Sequence, residues 1–158
     1  MDPLITQLCE RARNNDPRLR HLSLRSLPLL EVTDEEMSAV VESLEHNIHV
    51  NTFDMSIYNE TEEDGDDGNS EGIIFPPVPP FERVFSRNNS LVDIRISSPS
   101  SHILASVFRG LAQNNSLQIL QVGEMSATGD TTLMSKECAV ELKRMLEKNT
   151  SIRRLALQ

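Results

Sequence analysis

One phrase that occurs five times constrains the fold of this sequence more than any other feature. In each copy, apolar residues at helical spacing lead to an Asn, and the chain continues as apolar-x-x-apolar-x-apolar. The copies contain Asn15, Asn47, Asn88, Asn114 and Asn149. A single unit of this kind cannot bury its own apolar face, so neighbouring units must stack. The phrase therefore predicts a solenoid of about five helix-strand repeats.

The first half of each copy predicts an amphipathic helix. Apolar residues lie ten, seven and three positions before each Asn, which places them on one helical face. These sets are Ile5, Leu8 and Ala12; Met37, Val40 and Leu44; Val78, Phe81 and Phe85; Leu104, Val107 and Leu111; and Ala139, Leu142 and Leu146. Thr33 and Glu36 form a capping-box pattern before the second helix. We interpret the Asn as a helix-ending residue in the left-handed conformation, which Asn tolerates better than most residues.

The second half of each copy predicts a strand, because apolar and other residues alternate there. The residues between the apolar ones should form rows on the opposite face of a parallel sheet. Those rows are His21, Thr52, Asp93, Ile119 and Arg154; Ser23, Asp54, Arg95, Gln121 and Ala156; and Arg25, Ser56, Ser97, Gly123 and Gln158. We expect Asp54 and Arg95 to be cross-strand neighbours that can pair. The rows are the candidate binding surface.

The segments LASVFRGLAQNNSLQIL (residues 104–120) and LKRMLEKNTSIRRL (residues 142–155) resemble leucine-rich repeats of the ribonuclease-inhibitor type, a class also seen in tropomodulin-like and NLR-type proteins. The resemblance implies an α/β right-handed solenoid with a concave parallel sheet, convex helices and protein binding as its usual role. That family places Asn or Cys eight positions after the first Leu of a repeat. Here those positions hold Leu27, Tyr58, Pro99 and Met125, so the loops need other hydrogen-bond partners.

One domain over residues 1–158 is expected, interrupted by an acidic and Pro-rich insertion at 58–80 that should be disordered. The net charge is -9, but residues 60–71 hold seven acids and no base. The remainder has 17 acids against 15 bases, so no basic surface for nucleic acid is predicted.

The acidic insertion also leaves open an alternative function. Glu60, Glu62, Asp64 and Glu71 occupy positions one, three, five and twelve of a calcium-loop spacing, with a Gly at position six. Position one of such loops is normally Asp, and position eight here is the charged Asp67 instead of an apolar residue. A solvated acidic segment is therefore favoured over a calcium-responsive loop.

Catalytic motifs are missing from the sequence: it holds no G-x-S-x-G, phosphate-binding Gly loop or H-E-x-x-H. A hydrolase with a site assembled from distant residues remains the third hypothesis, and no cofactor is predicted. No apolar run reaches the roughly 18 residues of a membrane span. The two cysteines lie in separate helical patterns, which favours a reducing, cytoplasmic compartment.

The chain ends at Leu155-Ala156-Leu157-Gln158, in the middle of a strand pattern. A repeat without a covering neighbour leaves an open sheet edge. We therefore expect either a longer solenoid, of which this chain is a fragment, or self-association through that edge. The sequence as a whole predicts a protein-binding repeat module that contacts its partner through the concave sheet face or through the acidic insertion. It does not identify that partner.

Overall fold

The structure, a computed structural model, describes residues 1–24, 32–56, 79–97, 101–123 and 135–157. In these ranges helices and strands alternate as α1 (Pro3–Arg13), β1 (His21–Ser23), α2 (Asp34–Ser43), β2 (Thr52–Ser56), α3 (Phe81–Arg87), β3 (Asp93–Ser97), α4 (Ser101–Leu111), β4 (Ile119–Gly123), α5 (Lys136–Lys148) and β5 (Arg154–Leu157). The strands form one parallel sheet in chain order. Such stacking of strand-helix units is a solenoid, and the predicted fold class is confirmed.

The register of the sheet reproduces the predicted rows. His21, Thr52, Asp93, Ile119 and Arg154 are successive cross-strand partners, as are Ser23, Asp54, Arg95, Gln121 and Ala156. The third row is confirmed for Ser56, Ser97 and Gly123, while Arg25 and Gln158 lie outside the described residues. Since side chains alternate across a sheet, these rows share one face and the strand apolar residues share the other.

The core lies between the sheet and the helices. Leu22, Phe53, Ile94 and Leu120 are fully buried, one from each of the first four strands. Phe85 of α3 contacts the rings of Phe53 and Phe81, with centroid separations of 6.1 and 5.5 Å. These aromatic contacts stabilise the packing of α3, which is only seven residues long.

The predicted burial of the apolar set in the last helix is wrong for Ala139 and Leu146. Ala139 and Leu146 are exposed and Leu142 is half-buried, while α5 buries Cys138 and Met145. Cys138 and Met145 face α4, whereas no described element packs on the other side of α5. In α4 the equivalent predicted residues, Leu104, Val107 and Leu111, are buried because the fifth repeat covers them. Val78 of the predicted third set lies outside the described residues.

The repeated Asn has a different role from the one predicted. Among the described residues, Asn15 is the only residue other than Gly that has a positive φ, at 52°. Asn88 and Asn149 end their helices in extended conformations, with ψ of 126° and 117°. The left-handed interpretation is therefore confirmed for the first repeat and wrong for the later ones.

In the later repeats the buried Asn side chains form a ladder between neighbouring units. Nδ2 of Asn114 donates to the carbonyl oxygens of Phe85 and Asn88 at 2.8 and 2.7 Å. Its Oδ1 accepts the backbone N–H groups of Ser116 and Leu117 at 2.9 and 2.8 Å. The same pattern holds, with two carbonyls of the preceding repeat, at Asn88 and Asn149. Asn47 differs only in donating to one carbonyl, that of Ala12. The ladder satisfies backbone groups that would otherwise be buried without partners.

A Ser two positions after the Asn extends this ladder. Ser90 Oγ donates to the carbonyls of Asn47 and Val50 at 2.8 and 2.9 Å, and Ser116 Oγ donates to that of Leu91 at 2.9 Å. These contacts account for the Asn-x-Ser triplets, which otherwise match glycosylation acceptors. The side-chain amide nitrogens of these Asn residues are buried and hydrogen-bonded, so the folded chain does not offer them for glycosylation.

Glu36 connects the first two helices. It completes the predicted capping box with Thr33 and also accepts the backbone N–H of Asp2 at 2.6 Å. These backbone hydrogen bonds favour the ionised form and hold the pKa of Glu36 below its ordinary value of 4.5. The carboxylate thus fastens the start of α1 to the start of α2.

Replacing Glu36 with Gln is expected to destabilise the chain in a pH-dependent way. Because the pKa is lower in the folded state, the ionised group stabilises the fold above pH 4.5, and this contribution is lost as the pH falls through the lowered value. Urea unfolding of both proteins should show a difference in stability at pH 7 that shrinks by pH 3. A difference that is the same at both pH values would contradict the role assigned to the carboxylate.

Candidate binding surface

The concave face of the sheet carries the rows of outward-facing side chains. His21 and Arg154 at its two edges are exposed. Between them lie half-buried residues, namely Ser23, Thr52, Asp54, Ser56, Asp93, Arg95, Ile119, Gln121, Gly123 and Ala156, and the buried Ser97. The strands hold these side chains at fixed spacing, so the surface is ordered before any partner arrives.

An ion pair occupies the centre of this surface. Arg95 Nη2 lies 2.8 Å from Asp93 Oδ2, and Arg95 Nε donates to Asp93 Oδ1 at 3.3 Å. The two residues are two positions apart on one strand and therefore lie on the same face. The Arg95 side chain is still 43% exposed, whereas that of Asp93 is 15% exposed. The guanidinium is thus fixed in orientation and available for contact.

The expected partner of Arg95 was Asp54 on the neighbouring strand. The register confirms that Asp54 and Arg95 are cross-strand neighbours, but the direct ion pair of Arg95 is with Asp93. The hydrogen bonds and charge of Asp93, followed by the charge of Asp54, raise the pKa of Arg95 above its ordinary value. An i,i+2 pair on one strand competes with the cross-strand pair, and here it makes the direct contact.

The charge of the surface changes from its centre to its edges. Asp54, Asp93 and Arg95 place two acids and one base near the middle of the sheet, while Arg154 adds a base at the β5 edge. The apolar Ile119 lies between Asp93 and Arg154 in the same row. Alternating charge around an apolar side chain suits contact with another folded protein better than with a uniformly charged polymer.

Several predicted site residues cannot be placed on this surface. Arg25 and the calcium-loop candidates Glu60, Glu62, Asp64 and Glu71 lie outside the described residues, as does the insertion apart from Pro79 and Pro80. Within the described ranges, no three His, Cys, Asp or Glu side chains are grouped to hold a metal ion. No helix in those ranges is long and apolar enough to cross a membrane.

Sequence reasoning missed an ion-pair network on the convex face. Arg109 of α4 lies 3.6 Å from Glu82 of α3, and 2.8 and 3.6 Å from Glu137 and Glu141 of α5. Arg83 and Arg87 of α3 pair with Glu42 and Glu45 at the end of α2. The only signal of this network in the sequence is that successive helices carry residues of opposite charge. These ion pairs bridge neighbouring helices on the convex side.

Comparison with known proteins bears on the fold. No family model and no curated protein matches this sequence. A solved structure of leiomodin-1 actin-binding site 2 superposes with a TM-score of 0.68 at 18% identity, covering 100% of this chain and 81% of that one. The tropomodulin C-terminal domain of Caenorhabditis elegans gives a TM-score of 0.65 at 13% identity, with coverages of 98% and 82%. This chain has a leucine-rich-repeat-like fold.

At such low identities the likeness concerns the fold alone. It confirms the predicted solenoid, but it does not single out the ribonuclease-inhibitor type, which stays a prediction.

Proposed function

We propose that this chain is a non-enzymatic protein-binding module whose concave sheet face contacts the partner. The observation that carries the proposal is the continuous register of the outward-facing rows across all five strands. A surface fixed in this way loses little conformational entropy on binding. The central Arg95, aligned by Asp93 and still exposed, is the kind of anchor that dominates binding energies.

Actin is the partner that we propose to test first. Support comes from the fold likeness to the actin-binding site of leiomodin-1, which covers the whole of this chain. The surface chemistry is compatible with a protein partner, since polar and charged side chains surround Ile119. The partner and the binding face are separate parts of the proposal, and each has its own test.

Exchanging the two central charges is expected to weaken binding by about tenfold or more. The double variant Asp93→Arg, Arg95→Asp keeps the net charge and allows the same ion pair, so the fold should be retained. It reverses the charges that a partner meets, which electrostatic complementarity penalises. Co-sedimentation with actin filaments and fluorescence anisotropy with actin monomers would measure the change.

The matched control is an exchange on the convex face, Glu42→Arg with Arg83→Glu. These side chains are 48% and 47% exposed and form an ion pair at 3.1 Å, so the perturbation is similar in kind. Binding should be unchanged in this control. If the wild type binds neither form of actin, actin is excluded as the partner. If it binds and the concave exchange has no effect, the concave face is excluded as the contact surface.

A further inference from the structure

The guanidinium group of Arg95 uses only one of its edges within the described part of the chain. Its Nε and Nη2 atoms donate to the two carboxylate oxygens of Asp93 at 3.3 and 2.8 Å. The end edge, formed by the remaining N–H groups of Nη1 and Nη2, has no hydrogen bond or ion pair with any described residue. We call it the open edge of Arg95. Its fork of parallel N–H donors matches the two oxygens of one planar group.

Gln121 lies beside Arg95 and adds further donors. The two residues are cross-strand partners on β4 and β3, so their side chains leave the same face of the sheet about 4.8 Å apart. Gln121 is half-buried, and its side-chain amide has no hydrogen bond within the described ranges. Both strands are central in the sheet. The position of this pair therefore does not depend on what lies at either end of the solenoid.

The acids of the concave rows lie to one side of this pair. Asp54 is on β2 and Asp93 is on β3, whereas the rows have no acid on β4 or on the described residues of β5. Instead β4 contributes Ile119 and Gln121, and β5 contributes Arg154. An anionic group placed over β4 therefore approaches N–H donors and bases before it approaches either acid.

Arg109 on the convex face shows how this chain surrounds a guanidinium group more completely. Its Nη1, Nη2 and Nε atoms lie 3.6, 2.8 and 3.6 Å from carboxylate oxygens of Glu82, Glu137 and Glu141. Arg95 has a carboxylate on one edge alone, and a second one at its open edge would give it similar surroundings. A phosphate group would bring about twice the negative charge next to the acid already present. A carboxylate is the better match.

We propose that Arg95 and Gln121 form a recognition site for a carboxylate of the partner protein, an Asp or Glu side chain. This inference rests on the proposed function, because it names the chemical group that the concave face contacts. The open edge of Arg95 donates to both carboxylate oxygens, and Nε2 of Gln121 donates to one of them. Asp93 is a positioning residue that holds the guanidinium group in the required orientation before the partner arrives.

Two capped peptides test this site on the whole chain and without actin. The first is acetyl-Ser-Leu-Glu-Leu-Ser-amide, whose only charge is the Glu carboxylate, and the second has Gln in place of that Glu. Nuclear magnetic resonance would follow the Nε–H signals of the arginines and the side-chain amide signal of Gln121 during each titration. The Glu peptide should shift the signals of Arg95 and Gln121, and the Gln peptide should bind at least about tenfold more weakly.

Variants at two Gln residues separate this site from a general effect of charge. Gln121→Glu places a carboxylate where the peptide carboxylate binds, so it should weaken the Glu peptide by about tenfold or more. Gln113→Glu adds the same charge at an exposed position just after α4 and should leave the affinity unchanged. Arg87 is the internal reference, since its side chain is 61% exposed and its one ion pair in the described residues is with Glu45. Its signal should move less than that of Arg95.

Several results would overturn the proposal. They are equal or absent shifts with the two peptides, equal movement of the Arg87 and Arg95 signals, and unchanged binding by Gln121→Glu. A failure of the proposed function gives a different result. If the chain binds the Glu peptide at Arg95 but does not bind actin, actin is excluded and the carboxylate site is retained. If actin binds through the concave face and the peptide has no effect, only the carboxylate site is excluded.

Discussion

Replacing Asn114 with Ala is expected to lower the free energy of unfolding by about 3–5 kcal/mol. The Asn114 side chain is 1% exposed and bonds two backbone carbonyls and two backbone N–H groups. Ala leaves these groups buried without partners, and each such group costs about 1–3 kcal/mol before relaxation and water entry reduce the total. Urea unfolding measured by circular dichroism would give the difference.

Two further variants separate the ladder from a general effect of mutation. Asn115 is the exposed neighbour of Asn114, and Asn115→Ala should change stability by less than about 0.5 kcal/mol. Asn114→Asp keeps the acceptor but turns a carboxylate oxygen toward the carbonyls of Phe85 and Asn88, so it should destabilise about as strongly as Ala. If Asn114→Asp were as stable as the wild type at neutral pH, the ladder would not hold the repeats together.

Gly110→Ala is expected to destabilise the chain by about 2 kcal/mol, although Ala is the better helix former by about 1 kcal/mol. A Cβ at Gly110 would lie 2.8 Å from the carbonyl oxygen of Phe81 and 3.0 Å from both Cα and the carbonyl oxygen of Glu82. These are backbone atoms at the start of α3, which a rotamer change cannot move. The added methyl group must separate α3 from α4, and the packing lost outweighs the gain in helix propensity. Thermal unfolding that showed a stabilised variant would contradict this close approach.

The register of the sheet could be predicted because it depends on local pattern alone. The apolar-x-x-apolar-x-apolar phrase fixes which strand residues point inward, and stacking in chain order then aligns Thr52 with Asp93 and Asp54 with Arg95. The capping box of Thr33 and Glu36 is equally local and was also predicted correctly. Patterns within one repeat are thus sufficient to predict the helices, the strands and the rows of outward-facing residues.

Contacts between repeats could not be predicted in the same way. The bonds of Asn114 reach carbonyls 26 and 29 residues away, so a local rule for helix ends gave Asn the wrong conformation. The exposure of Leu146 depends on what covers the fifth repeat, which helical periodicity does not contain. Arg95 likewise has two acidic neighbours, Asp54 and Asp93, and side-chain geometry determines that its direct ion pair is with Asp93. The missing information concerns neighbours that are distant in sequence.

Arginine footprinting of the chain bound to actin tests the central claim, that the concave face is the contact surface. A dicarbonyl reagent would label exposed guanidinium groups with and without saturating actin, and mass spectrometry would locate the labels. The side chains of Arg95, Arg83 and Arg87 are 43%, 47% and 61% exposed, so all three report on their surroundings. We predict that actin protects Arg95 and leaves the convex Arg83 and Arg87 unchanged. Protection of Arg83 and Arg87, with Arg95 labelled as in the free chain, would contradict the account.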